Sequence, residues 1–394
     1  VRKDHSQSPP QNLKKVLLIC TGACHTDGGI AAVNQLTMQT VLTAGYALDV
    51  IVLQESSNPA NEDSILNENR VHLSYRTFRG NKFTFTLAVW RAVIMRRYDL
   101  IIVDHVNLAS ILSPLGFLKL CSYIVWLHGI EIFPPRPDFE GFLGLNGATK
   151  LLANSSFTLN SVATRFPDLP IMKCDLALNP IHYPSVLPVK SESLSWTISL
   201  PALSGDMMRL GDQVILHVGR MVSGERYKGQ ESLLAAFPQV IDRFPGAQLV
   251  LAGRGDDMQR LKNMAREFSA NIQARIFFPG YVPDDLLDRI YQQCYVFAMP
   301  SIGEGFGLVY LEAMMRAKAC LGGRVDATPC VVREGSTGLL VDDPRSPEQV
   351  ADALNWFLAH PEETRLMGSA GYDLVRSYYL FPHFQERFWK AILD

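Results

Sequence analysis

The residues of this chain suited to chemistry are two carboxylates, two cations and one imidazole. Glu304 and Glu312 have seven residues between them, beginning Gly305-Phe306-Gly307-Leu308. A carboxylate accepts paired hydrogen bonds from vicinal hydroxyls, so two of them beside glycine-flanked backbone suit a sugar nucleotide. Arg220 and Lys228 offer a rigid guanidinium fork and a mobile ammonium, the complementary means of holding a diphosphate. Surface charge is a weaker account of them, because cations at a helix start oppose its dipole. His128, followed by Gly129 and Glu131, comes at the end of an apolar run, where a loop histidine meets ligands more often than it packs.

These residues need strands that end together and helices that begin there. Val296 to Met299 reads as a buried strand closed by Pro300, with a helix from Leu308 running on through Ala319. Glu304 then lies in the loop and Glu312 about one turn inside the helix. A strand, a glycine loop and a helix start gather free N–H groups into an anion site. Lys15 to Cys20, a helix from Ile30 to Thr43 and a strand from Leu48 to Leu53 make a βαβ unit. Gly28-Gly29 at that helix start serves either turn geometry or close approach to a phosphate. No G-x-G-x-x-G fingerprint is present, which disfavours a nicotinamide oxidoreductase.

Further strands are expected at Leu100–Val103, Tyr123–Leu127, Val214–Val218, Ala247–Ala252, Ile276–Pro279 and within Arg333–Val341, and helices at 347–360, 361–379 and 381–393. Asp104-His105 follows the first of these strands, making His105 a weaker candidate than His128. Arg76 to Tyr98 reads as a basic aromatic helix, carrying Arg79, Lys82, Arg91, Arg96 and Arg97 among Phe83, Phe85 and Trp90. Its plainer reading is a helix packed on the sheet with its cations in water, ahead of a bilayer surface contact.

Composition bounds the function. With 394 residues, 47% hydrophobic and 19% charged, the chain suits two full domains. A net charge of −2 argues against a dedicated nucleic-acid binder. Seven scattered cysteines fit reduced cytosolic thiols, and Cys20 with Cys24 lacks a second pair for zinc. No apolar run approaches the roughly 20 residues of a membrane span.

The segment Met299-Pro-Ser-Ile-Gly-Glu304-Gly-Phe-Gly-Leu, with Glu312, Gly219-Arg220, Lys228-Gly229 and Glu334-Gly335-Ser-Thr-Gly338-Leu-Leu-Val341, resembles the E-x7-E pattern of retaining GT-B glycosyltransferases, family 4. The resemblance covers nearly the whole chain and is densest over residues 214–341. It implies an α/β fold of GT-B architecture, two Rossmann-like domains facing a central cleft. Residues 1–13 would be a flexible tail and 14–188 an acceptor domain, with a linker at 189–212 marked by Pro184, Pro188 and the serine-rich 191–204. A nucleotide-sugar domain would span 213–378, and 379–394 would return to the first domain. Asn154 and Leu178-Asn179-Pro180 match the last two strand ends of the first domain.

By that resemblance Glu304 meets the donor sugar and Glu312 the ribose, while Arg220 and Lys228 clamp the diphosphate. Backbone at Gly28, Gly29, Gly305, Phe306, Gly307 and Leu308 faces sugar and phosphates. Val282 borders the base beside Tyr281, and His128 contacts the reacting sugar. The implied activity is hexosyl transfer from a nucleoside diphosphate sugar, UDP-glucose before GDP-mannose, to a saccharide or lipid-linked acceptor in polysaccharide or glycolipid synthesis. No cofactor or metal is expected, since no Asp-x-Asp motif ends a strand and Arg220 with Lys228 supplies positive charge. The expected location is cytoplasmic, with peripheral contact at the inner membrane face. A GT-B nucleotide-sugar epimerase and a non-catalytic nucleotide-sugar-binding subunit are the alternatives.

Overall fold

In a computed structural model the described residues are 15–24, 28–56, 72–95, 98–117, 121–129, 145, 147–165, 167, 170–184 and 197–394. The expected tail at 1–13, together with Glu131, Arg96, Arg97, Pro188 and residues 191–196, lies outside them. The chain divides into two compact units, Val1–Asn179 with Leu380–Asp394, and Pro180–Tyr379.

The first unit is built on a seven-stranded sheet of β1 (Lys15–Cys20), β2 (Ala47–Val52), β3 (Leu73–Thr77), β4 (Leu100–Val103), β5 (Tyr123–Leu127), β6 (Ala148–Ala153) and β7 (Ile171–Lys173). The strand order is β3-β2-β1-β4-β5-β6-β7 and every pairing is parallel. Parallel pairing requires crossovers, supplied by α1 (Gly29–Thr43), α2 (Lys82–Met95), α3 (Val106–Phe117) and α4 (Ser156–Arg165). Leu17, Ile19, Ile51, Val103 and Val125 pack with Phe85, Val89, Ala109 and Leu112 into one core.

The second unit begins with a hairpin of β8 (Ser199–Pro201) and β9 (Met207–Arg209). Its six-stranded sheet comprises β10 (Val214–Val218), β11 (Gln248–Ala252), β12 (Ile276–Gly280), β13 (Val296–Met299), β14 (Ala319–Gly323) and β15 (Gly338–Val341). The order is β12-β11-β10-β13-β14-β15, again all parallel. Its helices are α5 (Gln230–Arg243), α6 (Met258–Arg266), α7 (Ala270–Gln273), α8 (Asp284–Gln293), α9 (Leu308–Met314), α10 (Pro347–Ala359) and α11 (Pro361–Tyr378). In both sheets the order reverses beside the first strand, between β1 and β4 and between β10 and β13. Open parallel sheets bind ligands at the strand ends beside such a switch point.

A last helix, α12 (Phe381–Leu393), belongs to the first unit, as expected. Phe384 and Phe388 stack on Trp126 with ring centroids 6.4 and 6.3 Å apart, and Trp389 meets Tyr46 edge-on at 5.4 Å. Lys150 Nζ donates to the carbonyls of Ala391 and Ile392 at 3.0 and 2.9 Å, closing the helix C-terminus with a cation that suits its dipole.

Four expectations are corrected. Residues 76–98 are not one helix: Arg76 belongs to β3, and the chain turns at Arg79 (φ 50°) and Gly80 (φ 79°) before α2. Leu178-Asn179-Pro180 is not a strand end, since the sheet closes with β7; Leu178 and Asn179 are buried coil and Pro180 opens a 3-10 turn, Pro180–His182. Residues 197–212 are not linker, because the hairpin turns at Gly205 and Leu203 N–H donates to Ile276 at 2.8 Å, placing the hairpin against β12. The helix after Leu308 stops at Met314 rather than running on through Ala319: Ala317 takes φ 55° and Ala319 opens a buried strand, Ala319–Gly323, that was not expected.

Candidate active site

In the first unit the candidate residues gather on the loops after β1, β4 and β5. Gly28 stands before α1 with φ 128°, and a Cβ on Gly29 would meet nothing within 4 Å. The N-terminal turn of α1 is therefore open backbone, with no side-chain cap among the described residues. Two buried carboxylates shape the approach to it. Asp104 Oδ2 accepts from Thr21 N–H and its hydroxyl, both at 2.7 Å, and from Asn34 at 3.0 Å. Glu55 accepts from the N–H groups of Ala23 at 2.6 Å and Cys24 at 2.7 Å, and from the Tyr75 hydroxyl.

His128 is buried, and its Nε2 donates to the Asp104 carbonyl at 2.6 Å. Burial holds its imidazole below the ordinary range against the pull of Asp104. The ring lies between His105 and Trp126, each stacked at 6.4 Å, and Asn154 secures the His128 carbonyl at 3.0 Å. A neutral imidazole that donates through Nε2 has a lone pair on Nδ1, so that atom can accept a hydrogen bond but not donate one.

In the second unit the loops after β10 and β13 meet. The Gly219-Arg220 turn leads into a 3-10 segment, Ser223–Lys228, so Lys228 lies just before α5 rather than within its first turn. Gly229 follows with φ 83°, where a Cβ would press into the Pro300 carbonyl, and Ile302 N–H donates to Tyr227 at 2.9 Å. That close approach puts Lys228 Nζ 3.3 Å from Glu304 Oε2. Burial pushes the Lys228 ammonium down, but Glu304, Tyr227 and Glu225 outweigh it and raise it above its ordinary value. Arg220 pairs with Glu225, and Arg226 pairs with Asp257 at 3.2 Å, away from Lys228's partner.

Gly307, at φ 92°, ends the loop, and a Cβ there would sit 2.5 Å from the Tyr310 ring. Phe306 is buried edge-on against Tyr379 at 6.0 Å, so it offers only backbone to a ligand. Leu308 opens α9, and Glu312, inside it, accepts from the Tyr291 hydroxyl at 2.9 Å. The two glutamates thus have separate partners. Val282 is buried beside exposed Tyr281, over whose ring the Arg254 guanidinium lies at 5.1 Å.

Residues 208–374 match the family described as glycosyl transferases group 1. The match covers less than half of the chain. Two curated relatives each match under half of the chain. A GDP-mannose-dependent alpha-(1-6)-phosphatidylinositol monomannoside mannosyltransferase of Mycobacterium tuberculosis is 33% identical over 175 residues, 42% of this chain and 44% of that protein. A D-inositol 3-phosphate glycosyltransferase of Corynebacterium glutamicum is 32% identical over 175 residues, 43% and 40% of the two chains. The chain thus spans less than half the length of either relative.

Solved structures extend the likeness in fold to both units. Anabaena HepE, in complex with UDP and glucose, superposes with a TM-score of 0.74 at 16% identity, over 96% of this chain and 99% of its own. Sucrose-phosphate synthase of Thermosynechococcus elongatus gives 0.73 at 19%, over 96% and 98%. The fold is GT-B, two Rossmann-like units.

Within the glycosyl transferases group 1 region, sequence reasoning passed over Asp326, Tyr291 and His217. Asp326-Ala-Thr-Pro is a visible turn signal, but Asp326's partner Glu304 lies far upstream, beyond any local pattern. His217 sits among apolar strand residues and reads as core, and Tyr291 reads as the apolar face of an otherwise polar helix. Among the described residues no cluster of three metal-ligating side chains occurs.

Proposed function

We propose that this chain transfers a hexosyl group from a nucleoside diphosphate sugar to an acceptor hydroxyl with retention at the anomeric carbon. The observation that carries the reading is Lys228, a largely buried ammonium beside Glu304 where the glycine loop meets the start of α5. Arg220 and Lys228 would take the leaving diphosphate, aided by the N–H groups of Gly305 to Leu308. Glu304 would hold the sugar hydroxyls, Glu312 the ribose and Val282 the edge of the base. Taken by itself, the first unit offers open backbone at Gly28-Gly29, suited to a phosphate, and a buried imidazole at His128, suited to a hydroxyl. The sugar C1–O bond to phosphate breaks as the acceptor oxygen bonds to C1, and the acceptor proton passes to the leaving phosphate.

For the donor, the mycobacterial relative, described as GDP-mannose-dependent, supports GDP-mannose over UDP-glucose. A lipid-linked acceptor at a membrane surface is the partner that α2 supports. Phe83, Leu87, Ile94 and Met95 are exposed along it beside Lys82 and Arg91. A thermal-shift screen across nucleotide sugars, followed by anomeric analysis of product, tests the reading. Selective stabilisation by GDP-mannose and an α-linked product are expected. Epimerised free nucleotide sugar would favour the epimerase instead, and binding without turnover under any acceptor would favour a non-catalytic subunit.

A further inference from the structure

The turn after β14 carries a buried carboxylate that the scheme above does not use. Asp326 is 2% exposed, and both of its oxygens are engaged. Oδ2 accepts from the backbone N–H of Glu304 and from the Ser301 hydroxyl, each at 2.7 Å, and Oδ1 accepts from Thr328 N–H at 2.9 Å. The other polar group of the same residue is also held, because Glu304's carbonyl accepts from Ala327 N–H at 3.1 Å. Two consecutive residues of the β14 turn therefore grip both main-chain groups of Glu304. From that fixed point its side chain reaches Lys228 at 3.3 Å. The two turns lie against each other without slack, since a Cβ on Gly323 would run into the Ser301 carbonyl.

A loop N–H is ordinarily satisfied by water or a neutral acceptor, and burying an ionised carboxylate is costly unless it is well bonded. Here a carboxylate is spent on three short donors, one of them the peptide of the candidate sugar-binding glutamate. We infer that Asp326 is a positioning residue for sugar transfer, fixing the Glu304 peptide so that its carboxylate meets the donor sugar. This rests on the glycosyl-transfer reading. Burial pushes the Asp326 carboxyl up against the opposing pull of its donors. The ionised form alone can accept on both oxygens, so the grip depends on it.

Asp326→Asn tests this with little change in volume. An amide offers one oxygen and one NH2, so either Thr328 or the Ser301–Glu304 pair then faces a second donor. Hydrogen exchange of the native chain gives a readout independent of substrate. Amides of 301–307 should exchange at least about tenfold faster in the variant, with β10 and β11 unchanged. In steady-state kinetics kcat should fall about tenfold or more, as small misplacements near the reacting sugar do. The affinity for GDP, which lacks the sugar, should stay within about twofold. Combined with Glu304→Gln, Asp326→Asn should add little to the loss from Glu304→Gln alone, because both act through one carboxylate. Should Asp326→Asn not fold, Ser301→Ala removes one donor and should give the same pattern at about threefold in kcat.

Unchanged exchange at 301–307, fully additive losses, or equal weakening of GDP and GDP-mannose would each overturn the inference. Absence of turnover by the unaltered protein with every nucleotide sugar would instead overturn the glycosyl-transfer reading, and the link to transfer with it. The exchange measurement would still decide whether Asp326 holds Glu304.

Discussion

Lys228 and Glu312 look alike in the sequence as polar residues near glycine, yet their surroundings give them different work. Diphosphate charge grows as the glycosidic bond breaks, and a fixed ammonium gains with it, whereas ribose hydroxyls change little. Lys228→Ala should therefore lower kcat by roughly 10² or more, and Glu312→Ala should mainly raise the donor KM. Steady-state kinetics on folded variants checks both, and a normal kcat for Lys228→Ala would remove Lys228 from the clamp. The same two cations lead us to expect turnover that survives a chelator. Loss with EDTA and recovery with magnesium or manganese would refute that expectation.

His217 gives a prediction about pH. Its Nδ1 donates to the Ala298 carbonyl at 3.1 Å, while Nε2 is buried with no partner among the described residues. Burial lowers its pKa from 6.5 to about 4, with Lys228 adding to the effect. Between those values the unfolded chain binds a proton that the folded chain refuses. Stability therefore falls as pH drops from 6.5 towards 4, by about 3 kcal/mol. Chemical denaturation at pH 7 and pH 4 should show a shallower loss in His217→Gln than in the unaltered protein. Identical slopes would mean that His217 does not titrate on unfolding.

At the scale of elements, most of the architecture was legible because parallel strands buried on both faces read as unbroken apolar runs. Val296–Met299 is an example and Val214–Val218 is broken only by His217, and the glycine turns after them mark where the chain approaches itself. Arg220 and Glu304 stood out as candidates beside glycines after strands, and Lys228 as one beside Gly229 before a helix. The errors came where apolarity does not fix periodicity. Ala319–Gly323 suits helix or strand until Ala317 adopts a positive φ, and Ser199–Arg209 looks like linker until its partner β12 is known. Asp104, Glu55 and Asp326 were not legible, because each serves backbone donors brought near only by folding.

Helix α2 carries the element-scale prediction. Phe85 and Val89 face the core and Trp90 Nε1 donates to Ile111 at 2.8 Å, but Phe83 and Met95 are each 73% exposed. If that outer row meets lipid, the protein should sediment with anionic vesicles and less with neutral ones. Phe83→Ser with Ile94→Ser should release most of it while leaving nucleotide binding intact. Equal sedimentation by the double variant would assign the row to another role.

At the scale of the molecule, the first unit is completed by residues far away in the chain. Phe388 is fully buried against Trp126 and Trp389, so Phe388→Ala should destabilise that unit by about 3–5 kcal/mol. Differential scanning calorimetry should show one transition moving down while the transition stabilised by nucleotide stays in place. Joint movement of both would mean that the units melt as one.

The return of α12 also sets an order of events on the ribosome. After Asn179 emerges, the 200 residues of the second unit must be made before Leu380 appears. At about 5–20 residues per second that interval is on the order of 10–40 seconds. Throughout it Trp126 lacks the two phenylalanines that cover it, while the later unit, contiguous in sequence, gains its last strand at Gly338–Val341, before Leu380 appears. The part translated first is thus the last to close, and a nascent chain stalled in that window presents an open aromatic face to any chaperone waiting at the tunnel exit.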